Sequence, residues 1–358
     1  MPRRPAKLSN CYVPLPLPSH IETADTSNEI HAVSSSKKRA DGRSAGHELR
    51  QLCLETSVIS RALGSSLVEL GHTKVLAEAN IAAANLLRNN NNNGSNNIGN
   101  NEATTDIGSL KSNVKYAPNV GINQISQQSS SVTPLDGNSN SNSTSSTNTT
   151  AFATISAGKL NQELAMLEAD LSHSLTAALL PVVILERYPK CTVVLDVTVL
   201  QDDGSCLSAA ITAASMALVD ARVELRDMVT SCTVAVVEKP SNSNKSSGDA
   251  MDEDDDSSDD EDDRWLYLAD PTERETMAIS TDQDGRTSAS PALICLAMTP
   301  NHKEVTLWSQ TGRMSSEMAS QAMKLCRDGC RTMHKFMRES WMTSESSTGS
   351  DDAEMAHQ

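Results

Sequence analysis

No run of apolar residues in this chain approaches the length of a bilayer span, and no apolar stretch follows the opening MPRRPAKLSN. The sequence therefore predicts neither a membrane partner nor a secretory leader. No two of the eight cysteines, at 11, 53, 191, 206, 232, 295, 326 and 330, stand in CxxC spacing. Cys326 and Cys330 are four apart, a helical spacing that suits packing better than zinc. They read as reduced core cysteines of a soluble intracellular protein, with no metal and no cofactor implied.

Basic charge is missing where it would matter most. Eleven of the 46 acidic residues lie between Asp249 and Asp263 with no lysine or arginine among them. The other 35 face 30 basic residues, so most of the net charge of −16 belongs to one solvated run. That balance leaves nucleic-acid binding open but shows no dominant basic patch. Within that run, Ser257 and Ser258 are flanked by acids and read as phosphorylation sites for an acid-directed kinase.

Periodicity is missing from long stretches too. Residues 88–150 form an Asn/Ser/Thr tract with few apolar side chains, unable to bury enough surface to offset the entropy of ordering. The same reading covers an N-terminal extension, 1–40, an acidic insertion, 241–263, and a polar tail, 342–358. The basic cluster KKR at 37–39 reads as a nuclear-import signal. What remains in 41–341 is about 215 residues, one domain interrupted by two insertions.

Within that domain the patterning is clear. SLVEL and KVLAEA flank Gly71-His72-Thr73 as a hairpin. Leu160, Leu164, Leu167, Leu171, Leu175 and Leu179 recur every three or four residues and predict a helix ended near Pro181. CTVVLDVTVLQ reads as a strand covered on both faces. Further strands are predicted at 228–237, 264–270, 292–298 and 303–309, and a closing helix at 315–341. Helices and strands mix without strict βαβ alternation, which predicts an α+β sandwich on a mixed sheet.

The stretch LQDDGSCLSAAITAASMALVDA (200–221) predicts a strand end, a turn and an alanine-rich helix pressed closely by its neighbours. A turn before a helix start offers unpaired N–H groups, the ingredients of a phosphate cradle. Yet Asp202 and Asp203 precede it, Cys206 follows it, and the stretch holds no lysine or arginine. Capping by Ser205 and close alanine packing explain it without a ligand. Cys206 as a nucleophile lacks a nearby base and reads as a core thiol.

ADGRSAGHELR (40–50), GSSLVELGHTKVLAEA (64–79), the stretch from Ile184 to Val229 and LADPT (268–272) together resemble the RNase PH domain family. Among its branches the residues are most similar to eukaryotic RNA exosome ring subunits, in particular the mRNA-transport-regulator type. The resemblance implies an RNase PH fold, the βαβα sandwich of the ribosomal-protein-S5 domain-2 type. It also implies a hexameric ring of RNase PH-like partners, capped by S1/KH subunits, through which single-stranded RNA passes; DNA is not an expected partner. Location in nucleus and nucleolus, and also cytoplasm, follows from the same resemblance, as do roles in rRNA maturation and mRNA turnover.

Active members of the family cleave RNA with inorganic phosphate, and the resemblance maps their site onto this chain. Where they place arginine after the Gly-Ser turn, this chain has Gly204, Ser205 and Cys206. Where they place an acid on the late strand, it has Leu293. Ahead of the first long helix, where they carry arginines, it offers only Lys159. These departures predict no enzyme activity and no catalytic residue. Lys159, Arg187 and Lys190 are the RNA-contact candidates, and Asp41, Gly42 and Arg43 are expected to tie the N-terminal segment to a neighbouring subunit. An active phosphate-dependent 3′–5′ exoribonuclease and a scaffold outside the exosome remain the alternatives.

Overall fold

The computed structural model describes residues 11–12, 39, 41–43, 46–83, 107–118, 120, 149–238, 265–277 and 292–354. Two sheets and three long helices make up the described part. The larger sheet begins with β1 (Cys11–Tyr12), β2 (Leu52–Thr56), β3 (Gly64–Leu70) and β4 (Thr73–Ala83). It is completed by β5 (Ser109–Tyr116) and β6 (Cys191–Gln201), in the order β1-β2-β3-β4-β6-β5. The smaller sheet joins β7 (Thr230–Glu238), β8 (Trp265–Ala269), β9 (Ala292–Thr299) and β10 (Glu304–Thr311) in the order β10-β9-β7-β8. The helices are α1 (Thr149–Leu179), α2 (Cys206–Asp220), the short α3 (Glu273–Met277) and α4 (Ser316–Glu354).

The alternation of CTVVLDVTVLQ explains the position of β6. Val193, Leu195, Val197 and Val199 are fully or almost fully buried, and the residues between them are half-buried on the other face. Its antiparallel partner β4 sends Val75, Ala77 and Ala79 to the same side. Gly71, at φ 60°, turns β3 into β4 in the left-handed conformation that glycine adopts without strain.

The alanines of α2 do what the sequence predicts. The helix lies between the sheets, packed on β3 and β4 of one and on β7 and β9 of the other. Ala209, Ala210, Ala213, Ala214 and Ala217 are all at most 1% exposed. A Cβ on Gly64, where β3 starts, would collide with the Ala221 nitrogen and the Ala217 carbonyl oxygen, so small residues on both elements set the spacing. Asp220, at the end of α2, accepts from the Ser65 amide at 2.8 Å and the Ser57 hydroxyl at 2.6 Å. Helix α4 packs along β7 and β9 and reaches β2, with Gly329 against Cys232.

Two strands correct the sequence reading, and one of them is β1, which lies inside the N-terminal extension 1–40 and pairs antiparallel with β2. β5 falls inside the tract 88–150 that composition marks as structureless, and it pairs in parallel with β6 from Ser109↔Thr192 to Tyr116↔Val199. α1 packs on β5, so β5-α1-β6 is a crossover unit that the low-complexity sequence conceals. The Ser112 hydroxyl donates to the Ser172 carbonyl of α1 at 2.7 Å, and the Ser172 hydroxyl meets the Val114 amide at 2.8 Å. Residues 88–106, 119 and 121–148, all of 241–263 and the residues beyond 354 lie outside the described residues, and α4 runs on to Glu354 into the stretch 342–358 that composition marks as a tail.

Candidate phosphate turn and RNA-contact residues

β6 ends at Gln201 and α2 starts at Cys206, so Asp202–Ser205 sit where an anion would meet the helix N–H groups. The chain's own groups fill that place. Asp202 Oδ1 accepts the Gly204 N–H at 3.0 Å, and Oδ2 accepts the Tyr116 hydroxyl at 3.3 Å. Tyr116 comes from β5, the strand the sequence hides. Its oxygen also lies 3.8 Å from Cys206 Sγ.

Burial dominates the electrostatics there. It pushes the Asp202 carboxyl above the usual carboxylate range, against the pull of the Gly204 N–H, and it pushes up both the Cys206 thiol and the Tyr116 phenol. A buried thiol held protonated beside a carboxyl is a poor nucleophile, in line with the sequence reading.

The other side of the turn is sealed by backbone and by one guanidinium. A Cβ on Gly204, at φ +86°, would stand 2.6 Å from the Pro271 carbonyl oxygen and 2.8 Å from the Glu273 nitrogen. Glu273 N–H donates to the Asp203 carbonyl at 3.1 Å. Arg50, 4% exposed just ahead of β2, donates to the Asp203 carbonyl at 2.9 Å and the Gly204 carbonyl at 3.0 Å. The same side chain grips Asp270 with two forked bonds, Nη2 to Oδ1 at 2.7 Å and Nε to Oδ2 at 2.9 Å. Burial alone would raise the Asp270 carboxyl, but Arg50 outweighs it and holds the group below its usual range. Thr73 closes the cage, accepting from Asp203 N–H at 3.0 Å and donating to the Gly204 carbonyl at 2.8 Å.

One expectation needs correction. Ser205 stands at the N-cap of α2 but makes no side-chain cap bond: at φ 55° its hydroxyl turns away and donates to the Pro271 carbonyl at 3.3 Å. Arg43 serves its own chain. It donates to the Ala269 carbonyl at 3.1 Å and the Asp270 carbonyl at 2.9 Å, with Asp41 bonded to its Nε at 2.6 Å. Arg39 runs beside it, forking onto Glu275 at 2.8 Å for both bonds. Arg39 and Arg43 thereby tie their segment to 269–275 within the chain.

Leu293 lies on β9 opposite Ala235 of β7, which is itself opposite Leu268 of β8. It packs against the buried Ala235, Val237 and Leu268, so the position where active relatives are expected to carry an acid is an apolar contact here. Arg187 ends a short 3₁₀ turn and pairs with Glu224 at 3.2 Å on the surface, its side chain 68% exposed. Lys190, three residues on, is exposed at φ 58°. Lys159 belongs to α1, but its side chain lies outside the described residues, as do Ser257 and Ser258. Arg187 and Lys190 precede β6, and the 202–206 turn follows it.

Arg50, Asp270, Arg39 and Glu275 escaped the sequence reading. Thr272-x-x-Glu275 carried a signal. It is the reciprocal capping pattern, with Glu275 accepting the Thr272 N–H at 2.9 Å and the Thr272 hydroxyl accepting the Glu275 N–H at 3.3 Å. Nothing local marks Arg50, whose partner stands 220 residues away.

The model of the 3′ exoribonuclease family, domain 1, matches residues 48–224, about half of the chain. The chain belongs to the RNase PH domain family. It is 24% identical over 306 residues to the exosome complex component RRP41-like of Arabidopsis thaliana, covering 84% of this chain and 83% of that one. It is 28% identical over 173 residues to the human exosome complex component MTR3, covering 48% and 52%. Against the Rrp41 of Methanopyrus kandleri it is 30% identical over 161 residues, covering 45% and 52%. The chain spans about half the length of these last two relatives. Among solved structures, rice Rrp46 matches with a TM-score of 0.51 at 18% identity, covering 84% of this chain and 98% of that one. The Archaeoglobus fulgidus exosome with RNA bound to the active site matches at 0.50, also 18% identical, covering 84% and 92%. The fold is the RNase PH sandwich, as the sequence predicts.

Proposed function

We propose that this chain is a non-catalytic subunit of a hexameric RNase PH-like ring of the exosome type. In that ring it helps form the channel for single-stranded RNA in 3′–5′ processing and degradation. The relatives named as exosome components support the membership, and the 202–206 turn supports the loss of chemistry. A phosphate anion needs free N–H donors and a matching cation. Here the Gly204 N–H is spent on the chain's own Asp202, the turn's two carbonyls take up Arg50, and Cys206 stands where the resemblance expects arginine. That internal capping is the observation that carries the reading.

The partners are other RNase PH-like chains, S1/KH cap subunits and RNA, with Arg187, Lys190 and Lys159 as loose phosphate contacts along the path. Nuclear, nucleolar and cytoplasmic placement, and roles in rRNA maturation and mRNA turnover, belong to the same proposal. A phosphorolysis assay tests the catalytic half. The purified chain, given 3′-labelled RNA and inorganic phosphate, is expected to release no nucleoside diphosphate. Phosphate-dependent release that Cys206→Ala or Asp202→Asn alters would overturn it.

A further inference from the structure

Helix α4 carries a feature that the ring reading does not use. Lys324, Arg327, Arg331, Lys335 and Arg338 are spaced three, four, four and three apart. On a helix turning 100° per residue they fall within about 80° of arc, in a single row about 21 Å long. The opposite side of the same segment is core: Leu325, Cys326, Cys330, Met333 and Met337 are buried against the rest of the protein. Lys324, Arg331, Lys335 and Arg338 are exposed and Arg327 is half-buried. Two carboxylates border the row: Asp328, which accepts from Arg331 at 2.8 Å, and Glu339. Five cations against two acids, in a chain of net charge −16, is a local reversal of sign.

The chemistry of the row selects its occupant. A docking face for a folded protein needs an apolar or aromatic centre and is poor in lysine. Between 324 and 338 no large hydrophobic side chain is exposed; the nearest one is Met342. Cations alone, about one per helical turn of 5.4 Å and in single file, suit the phosphates of an extended single strand, held without base readout. We propose that the basic face of α4 is a contact for the backbone of single-stranded RNA, separate from the Arg187/Lys190 surface. The inference rests on the RNA-path reading above and adds a surface to it.

The test uses the full chain in its purified assembly and fluorescein-labelled oligouridine, with binding followed by anisotropy across a salt series. The variant Lys324→Gln/Arg331→Gln/Lys335→Gln/Arg338→Gln changes only exposed side chains. It is expected to weaken binding roughly tenfold or more at low salt and to reduce the slope of log K against log salt by about 3, at about 0.7 per lost phosphate contact. Ultraviolet crosslinking of 4-thiouridine RNA to the unsubstituted chain gives a second readout, with adducts expected on peptides within 324–338. An unchanged slope together with no adduct there overturns the proposal. If Arg187→Gln/Lys190→Gln weakens binding in the same experiment, the RNA-path reading survives that failure; if neither variant matters, both fall. Displacement of the RNA by polyglutamate of equal charge, at equal affinity, would make the face a site for acidic protein and would also overturn the proposal.

Discussion

Arg50 and Asp270 face each other 2.7 Å apart, each side chain only 3% exposed, with 220 residues of chain between them. The pair fixes the start of β2, the turn before α2 and the end of β8 relative to one another. Removing one partner of a buried, forked pair strands the other charge without solvent, which typically costs 3–5 kcal/mol, that is about 4 kcal/mol. Arg50→Met is expected to destabilise by about that much in urea unfolding. Arg50→Met/Asp270→Asn should recover part of the loss, because no naked charge is left behind. Additive single losses would mean that the two groups act independently.

Acid should act on the protein through this same corner. Asp270 and Glu275 are held below their unfolded values, near 3.9 and 4.3, by Arg50 and by Arg39 against the opposing effect of burial. Their stabilisation is complete above those unfolded values and is lost as pH falls through the folded ones. Asp202 has the opposite sign. Burial raises its carboxyl, so its contribution is fullest below about 3.9 and is lost as pH rises through the folded value. Asp270→Asn should therefore flatten the acid limb of a plot of urea midpoint against pH. Asp202→Asn, which keeps an oxygen for the Gly204 N–H, should leave the midpoint at pH 7 unchanged or raised. A large loss at pH 7 would contradict the assignment of Asp202 as an internal cap that is better neutral.

Gly204 is held by space as well as by angle. With φ at +86° and the Pro271 carbonyl 2.6 Å from where a Cβ would be, Gly204→Ala must move the backbone of 271–273 or leave its own conformation. Strain of this kind costs on the order of 1–3 kcal/mol. The thermal midpoint should fall accordingly, whereas Gly42→Ala, with φ +92° but open space around it, should fall less.

Leu293→Asp would place an acid where the resemblance expects one, yet into a cluster of Ala235, Val237 and Leu268. An unpaired carboxylate there should cost at least about 2 kcal/mol and bring no phosphorolysis, since the 202–206 turn stays closed. Phosphate-dependent release of nucleoside diphosphate by that single variant would show that the turn still binds phosphate.

Local pattern made much of this fold readable. The β3–β4 hairpin announced itself through Gly71, β6 through its apolar alternation, and α2 through alanines that turned out to be pressed from both sides. β5 stayed hidden because its signal is four residues, Leu110, Ser112, Val114 and Tyr116, set in an Asn/Ser tract and paired with a strand about 80 residues on. Of the candidate site, the sequence makes legible that Cys206 and Leu293 stand where the resemblance expects other residues. The closure of the site was not legible. Asp202 looked like a charge repelling phosphate, and only the fold shows it capping Gly204 while Tyr116 covers it. Ser205 looked like a cap because serine commonly is one, but the left-handed backbone at 205 turns its hydroxyl elsewhere.

Native mass spectrometry of the tagged chain, purified from its own cells, tests the ring-subunit account most directly. The account predicts one copy of this chain among several different RNase PH-like chains, together with cap subunits. A homohexamer, or a single copy bound only to unrelated proteins, would contradict it.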